Sequence, residues 1–283
     1  LMRILTFDIE EWFHILDNSQ TKNLKDWENF ESRIHRNMEI IFEIIDKCKV
    51  SPTFFVVGWI AEKYPEVVKA ISNQGFEVAS HTHLHQLAYQ QDRRTFFNDV
   101  EKSIKTLEDC TGEKITAFRA PGFSITEQNK WAFEILYELG ITKDSSIFPA
   151  GRAHGGLPKY NVAVPSIINY NGVKLKEFPI NTYDIFGKPF IFSGGGYFRL
   201  LPYCIIKNWT INSNYVMTYF HPRDFDFSQP MVPGLSLPRR FKSYVGLKKC
   251  KPKLEHWLND FNFVSLDTAE QMINWDKAPI VNL

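Results

Sequence analysis

Between residues 3 and 140 the chain alternates short apolar runs with longer amphipathic stretches, and this alternation limits the fold more than any other feature. Residues 3–7, 53–57, 76–80 and 115–118 have the continuous apolar character of buried strands. Between and after them, residues 31–48 carry Ile34, Met38, Ile41, Ile45 and Cys48 at helical spacing. Residues 92–109 do the same with Phe96, Val100, Ile104 and Leu107, and residues 61–74 and 127–139 are read as two further helices ending at Gly75 and Gly140. Strand and helix in steady succession imply parallel strands joined by right-handed crossovers. The expected class is α/β, either a barrel or an open doubly wound sheet. A chain of 283 residues suffices for one such unit. With no linker, repeat or low-complexity tract in view, a single domain over residues 1–283 is expected.

Past residue 150 the pattern changes. Asn171-Gly172 separates two alternating runs and predicts a hairpin with a primed turn. Ser193-Gly194-Gly195-Gly196-Tyr197-Phe198-Arg199 is rich in glycine but lacks the spacing of a phosphate-binding loop, so a tight turn or a close backbone approach to substrate is expected. A late strand is predicted over residues 215–220, ending at His221. A basic helix over 248–260, a short strand over 263–266 and a final helix follow.

Composition removes several classes. The four cysteines (Cys48, Cys110, Cys204 and Cys250) form no CxxC pair, which argues against a cysteine zinc site or a disulfide framework. A formal net charge of +1 gives no reason to expect nucleic acid or an anionic membrane as partner. No apolar run reaches the ~18 residues of a membrane span. Residues 1–7 read as a first core strand instead of a leader, from which a cytoplasmic location is expected.

Three of the eight histidines fall in His81-Thr82-His83-Leu84-His85. Their i, i+4 pair, His81 and His85, would share one side of a helical turn and form a ready pair of metal ligands. Further polar clusters sit where predicted strands end: Asp8/Glu10/Glu11, Arg119 and His221. In α/β barrels the carboxyl ends of the strands form the active-site face, so these clusters would meet in one mouth. Together they hold what metal-assisted hydrolysis needs: two imidazoles and a carboxylate for the ion, a second carboxylate as base, an arginine to keep that base ionised, and a histidine for acid work.

Thr6-Phe7-Asp8, His81-Thr82 with His85, Arg119-Ala120-Pro121-Gly122 and the late-strand His221 occur in the order and spacing of the polysaccharide deacetylase (NodB-homology) family, which the chain resembles over residues 4–225. Residues 226–283 would be a C-terminal extension. The Asp8-to-His14 opening, the glycine-rich loop and His221-Pro222-Arg223-Asp224 look most like the branch linked to bacterial exopolysaccharide and surface-glycan loci. The resemblance implies a distorted (β/α) barrel of about seven strands, here with an added hairpin and C-terminal helices. It also implies a divalent metal and removal of an N-acetyl group from an amino sugar. His81 and His85 match the metal histidines, Asp8 the general base, Arg119 its partner, His221 the general acid and the Gly122 N–H the oxyanion donor. Zinc is expected, although the donor set also suits Co, Ni or Fe.

The chain departs from the family at one place. Where the common motif has a second aspartate as metal ligand, Ile9 stands. In an extended segment Asp8 and Glu10 face the same side, so Glu10 is expected to take the role, with Glu11 the alternative if the chain turns at residue 10. His83 is expected to neighbour the site without ligating. His14 is a candidate for the cleft mouth, Asp144 resembles a position that orients the acid histidine, and Trp12, Tyr197 and Arg199 are candidates for substrate contact. The substrate would be an N-acetylated sugar, free in an oligosaccharide or linked to a nucleotide or lipid. Two rivals remain at this level: a cyclic-amide hydrolase of the allantoinase kind, and a glycan-binding member without turnover.

Overall fold

The structure is a computed structural model that describes residues 1–283 except 17, 20, 22, 23 and 152–154. The first apolar run becomes two strands, β1 (Met2–Ile4) and β2 (Thr6–Ile9), because the chain changes partners at Leu5. Leu5 N–H donates to Val264 O at 3.0 Å, β1 pairs with a late strand, and β2 pairs with the second strand of the alternating series. After α1 (Leu24–Trp27), α2 (Ile34–Cys48) buries Ile34, Met38, Ile41 and Ile45 against the sheet, the stripe visible in the sequence. Then come β3 (Thr53–Val56), α3 (Gly58–Lys63) and α4 (Pro65–Asn73). The single helix expected over residues 61–74 is thus two. Pro65 disfavours a helical conformation in the residue before it, and Tyr64 breaks the path at φ −133°, ψ 60°.

The series continues with β4 (Glu77–Ser80), α5 (Arg93–Thr111), β5 (Ala117–Phe118), α6 (Ala132–Glu138) and β6 (Lys143–Asp144). Asp92 caps α5 by accepting from Thr95 N–H at 2.7 Å. The predicted hairpin forms between β7 (Ser166–Tyr170) and β8 (Val173–Glu177), with Asn171 and Gly172 both at positive φ, 47° and 82°, as a primed turn requires. A small hairpin (β9, Tyr183–Ile185; β10, Lys188–Phe190) leads to α7 (Gly195–Leu200), α8 (Tyr203–Ile211) and β11 (Tyr215–Met217). The C-terminal region supplies α9 (Leu237–Tyr244), α10 (Leu247–Asp260), α11 (Leu266–Met272) and β12 (Ile280–Asn282), which adds an unpredicted parallel edge to β7. The strand expected at 263–266 is reduced to one bridge, Ile4 with Val264.

Strands β2-β3-β4-β5-β6-β8 are all parallel neighbours in that order, and β1 pairs in parallel with β11. Between β8 and β11 the ring is held by side chains instead of a ladder: Tyr215 OH donates to Pro179 O at 2.8 Å, and Met217 N–H to Asn181 Oδ1 at 2.9 Å. The result is a distorted (β/α) barrel with helices outside. The hairpin and C-terminal helices flank it. Strands from both halves of the chain complete the ring.

Candidate metal centre and active site

The polar clusters predicted at strand ends do meet at one end of the barrel, in a cleft of about 240 Å³ whose wall includes Asp8, Glu10, His81, His85, Gly122 and His221. Asp8 lies near the end of β2 and Glu10 just beyond it; Ile9 between them is fully buried in the core, so i and i+2 share the cleft as an extended backbone dictates. Asp8 Oδ1 accepts from Arg119 Nη1 at 2.6 Å. Arg119 is fully buried, and its guanidinium also donates to Thr6 Oγ1, Ser145 O and Ser145 Oγ while resting 4.1 Å from the centre of the Phe55 ring. An arginine saturated in this way cannot swing out, which fixes the Asp8 carboxylate.

The two histidines reach the cleft by a different route from the helical turn expected. Residues 81–87 form a loop, and two non-glycine residues in it, Thr82 (φ 64°) and His85 (φ 52°), are left-handed. Such conformations persist only where the surroundings over-determine them. Here Asp99 of α5 accepts from His83 N–H at 2.8 Å and Leu84 N–H at 3.0 Å. From α3 and its start, Gly58 N–H donates to Thr82 O (2.8 Å) and Trp59 N–H to His83 O (3.0 Å). Gly58 is required for this approach, since a Cβ there would lie 2.5 Å from His83 Nδ1 and 2.9 Å from Ser103 Cα.

The contacts of Glu10, His81 and His85 are those of a metal site. One ligand atom each from Glu10, His81 and His85 lies within 4.8 Å of the others, and all three residues are buried. His81 Nδ1 donates to Arg119 O at 2.7 Å, which leaves Nε2 as a lone pair facing the cleft, the outer-shell arrangement of metal-binding imidazoles. Glu10 Oε2 is buried without a hydrogen-bond partner although His85 Nε2 stands only 2.6 Å away; the two are in contact but not aligned to bond. Buried donor atoms converging without bonding one another are what a cation would satisfy. The residues fit a divalent ion, and two imidazoles with one carboxylate leave positions open for water and substrate. Burial alone would raise the Glu10 pKa, but His85, His221 and His14 outweigh it and hold the carboxyl at about 2.

His221 follows β11 by four residues, its position fixed by a bridge between Phe7 and Phe220. Its Nε2 is 3.8 Å from Asp8 Oδ2 and 3.9 Å from Glu10 Oε1. Asp224 accepts from its backbone N–H at 2.9 Å and lies 3.4 Å from its Nδ1. Burial opposes protonation of this imidazole, yet Asp224, Glu10 and Asp8 prevail and lift it to about 9. Gly122 sits at φ 63°, ψ 14° in the turn Pro121–Phe123 and borders the cleft with its backbone.

Several candidates take other places. Glu11 turns away from the ion site: it accepts from Ser32 Oγ, Arg33 N–H and Ile34 N–H and so caps α2. Asp144 does not orient His221. Fully buried, it accepts from Ser146 Oγ at 2.6 Å, which in turn accepts from Ala120 N–H and steadies the turn bearing Gly122. Arg199 is buried, pairs with Asp224 at 3.0 Å and donates to the carbonyls of Lys242, Ser243 and Val245; it braces Asp224 and is not free for substrate. Trp12 packs in a side cluster with its Nε1–H on Glu31 O, and Tyr197 lies under Lys242 outside the cleft wall. The glycine-rich segment starts α7: a Cβ on Gly194 would meet Tyr219 O at 2.4 Å, while Gly195 and Gly196 border the cleft. His83 points out of the cleft to Glu62, 3.0 Å away, whereas His14 lines the cleft, its ring 5.8 Å from that of His85. Burial and His85 lower the His14 pKa to about 3, so it is neutral. Nothing in the sequence singled out Asp99; Arg199 was read there as a substrate contact and Asp224 only as part of the His221-Pro222-Arg223-Asp224 segment, so their role as a bracing pair was missed.

Residues 19–142 match the polysaccharide deacetylase family model, and residues 145–271 match a domain of unknown function, DUF3473. The first match holds His81, His85, Arg119 and Gly122, while Asp8 and Glu10 precede it and His221 falls in the second. A Bacillus cereus peptidoglycan-N-acetylglucosamine deacetylase is 34% identical over 102 residues, 35% of this chain and 37% of the relative. The chain thus spans little more than a third of that relative. A Mycobacterium smegmatis crystal structure assigned to the polysaccharide deacetylases superposes with a TM-score of 0.67 at 16% identity, covering 99% of this chain and 92% of the other. A mutant of a carbohydrate esterase family 4 pseudoenzyme with restored activity gives 0.50 at 13% identity, covering 94% and 66%. The chain carries, over residues 19–142, a polysaccharide deacetylase domain, and as a whole it shares its fold with solved proteins of that type.

Proposed function

We propose that the protein is a metal-dependent hydrolase that removes the N-acetyl group from an amino sugar of a surface glycan. The observation that carries this is the meeting, in one cleft, of the Glu10/His81/His85 donor set with Asp8 on one side and His221 on the other. A divalent ion held by the three ligands, with zinc the first candidate, would supply a Lewis acid for the amide oxygen and lower the pKa of a bound water.

The remaining roles belong to the chain. Asp8, pinned by Arg119, takes the proton of the attacking water. The Gly122 backbone N–H is assigned to the oxyanion, from a turn whose left-handed backbone suits glycine. His221, kept protonated by Asp224, gives its proton to the departing amine nitrogen. Base and acid are distinct groups, and the carboxylates around His221 keep it protonated for the second step of amide hydrolysis. Aromatic rings of Phe123 and Tyr219, edge to face at 5.5 Å, border the same cleft and suit a sugar ring.

Acetate release from N-acetylglucosamine oligomers, measured with and without a chelator, tests the assignment. Wild type should lose activity on chelation and regain it with zinc, and Asp8→Asn should lose ~10²–10⁴-fold. Turnover that survives either change would sink it.

A further inference from the structure

The near-zero net charge conceals a strong segregation. Residues 227–254 contain seven bases (Arg239, Arg240, Lys242, Lys248, Lys249, Lys251 and Lys253) and no aspartate or glutamate. Three are already engaged within the chain: Lys251 by Glu43, Lys253 by the carbonyls ending α7, and Arg239 by Leu16 O. Arg240, Lys248 and Lys249 line an open groove of about 1140 Å³ between α7, α9 and α10, and no carboxylate lines it among the described residues.

The same groove is rimmed by large apolar side chains that face solvent. Leu200, Phe227, Met231 and Phe241 line it, and Leu237 stands one helical turn before Phe241. Leu237 is 79% exposed and Phe241 62%, values foreign to residues with a partner in the fold. Helix α9 has no buried residue and divides its length between two surfaces. Arg239, Lys242 and Ser243 border the active-site cleft, while Arg240, Phe241 and Tyr244 border the groove. By helical spacing these are opposite faces of one helix.

We infer that α9 and the groove beside it form a docking surface for an anionic lipid bilayer, with Leu237 and Phe241 entering the interface and Arg240, Lys248 and Lys249 meeting the headgroups. Bases without acids supply attraction to a negative surface, and aliphatic plus aromatic side chains supply the apolar part; a nucleic acid or an acidic peptide would use the first but not the second. Because the opposite face of α9 borders the cleft, docking holds the cleft about one helix diameter, ~10 Å, from the membrane surface. On the deacetylase reading, on which this clause alone rests, the substrate is a glycan still attached to lipid.

The test is co-sedimentation of the full chain with vesicles of equal parts phosphatidylglycerol and phosphatidylcholine, against phosphatidylcholine alone. Binding is expected only to the anionic vesicles and should weaken with salt. The pair Lys248→Glu and Lys249→Glu should reduce it at least ~10-fold, and the pair Leu237→Ser and Phe241→Ser, all at exposed positions, comparably. No binding by wild type, or binding that either pair leaves intact, overturns the inference. So does equal capture by poly-glutamate with no effect of Leu237→Ser and Phe241→Ser. Acetate release from soluble N-acetylglucosamine oligomers should be unchanged in both variants; a parallel loss there would refute a separate surface. Wild type that binds vesicles but releases no acetate from any substrate would overturn the deacetylase reading alone.

Discussion

Asp99 has no contact with the ion site, yet the geometry makes the site depend on it. Its two carboxylate oxygens accept the His83 and Leu84 N–H groups at 2.8 and 3.0 Å, and among the described residues neither donor has another acceptor. Asp99→Ala strands the first in a buried setting and the second in a half-buried one, at ~1–3 kcal/mol for each unsatisfied donor. The loop meanwhile holds Thr82 and His85 in left-handed conformations that each cost ~1–3 kcal/mol. Removing the clamp lets the loop relax toward unstrained backbone, which carries His81 and His85 apart. Two readouts follow. Urea unfolding of metal-free protein should show a loss of about 2–4 kcal/mol, and zinc affinity in competition with a fluorescent chelator should fall ~10–100-fold, as for outer-shell changes generally. Asp99→Asn, which keeps one acceptor oxygen, should fall between. Unchanged zinc affinity in Asp99→Ala, whatever happens to stability, would refute the claim that the clamp sets ligand geometry.

Three other perturbations separate roles that adjacent residues could be confused for. Glu10→Ala should abolish tight zinc binding in the same chelator competition. Glu11→Ala should keep zinc but lose about 1–3 kcal/mol through the uncapped start of α2, read by the same urea titration. Burial raises the Asp224 pKa, but Arg199 and His221 overcome it and hold the group at about 2 against an ordinary 3.8. Since the folded value is the lower one, the carboxylate contributes about 2 kcal/mol above pH ~4. That contribution disappears as pH falls toward 2, so the acid limb of a stability profile should flatten in Asp224→Asn. Gly58→Ala drives a methyl into His83 and the Ser103 backbone; a thermal melt should show about 1–3 kcal/mol of destabilisation, with zinc affinity lowered as the loop shifts.

Much was decided by the sequence alone, through local rules. Apolar runs and helical stripes were enough for the parallel α/β order, because each crossover constrains its neighbours by chirality and length. Asn171-Gly172 was enough for its hairpin, since few other pairs accept two positive φ angles. The i, i+2 logic placed Asp8 and Glu10 on one face and Ile9 in the core, which a period of two settles without tertiary information. What sequence could not give depended on partners far along the chain. His81 and His85 converge through a strained loop, not a helical turn, because Asp99, Gly58 and Trp59 hold it from two other helices. Glu11 is a cap and not a ligand because the start of α2, more than twenty residues later, needs an acceptor there. The brace on His221 comes from Asp224 and Arg199 instead of Asp144, since ring closure by β1 and β11 brings α7 beside the acid histidine and leaves Asp144 buried beneath Ala120. Local periodicity fixes which face a side chain takes; only the closed barrel determines which charges it meets there.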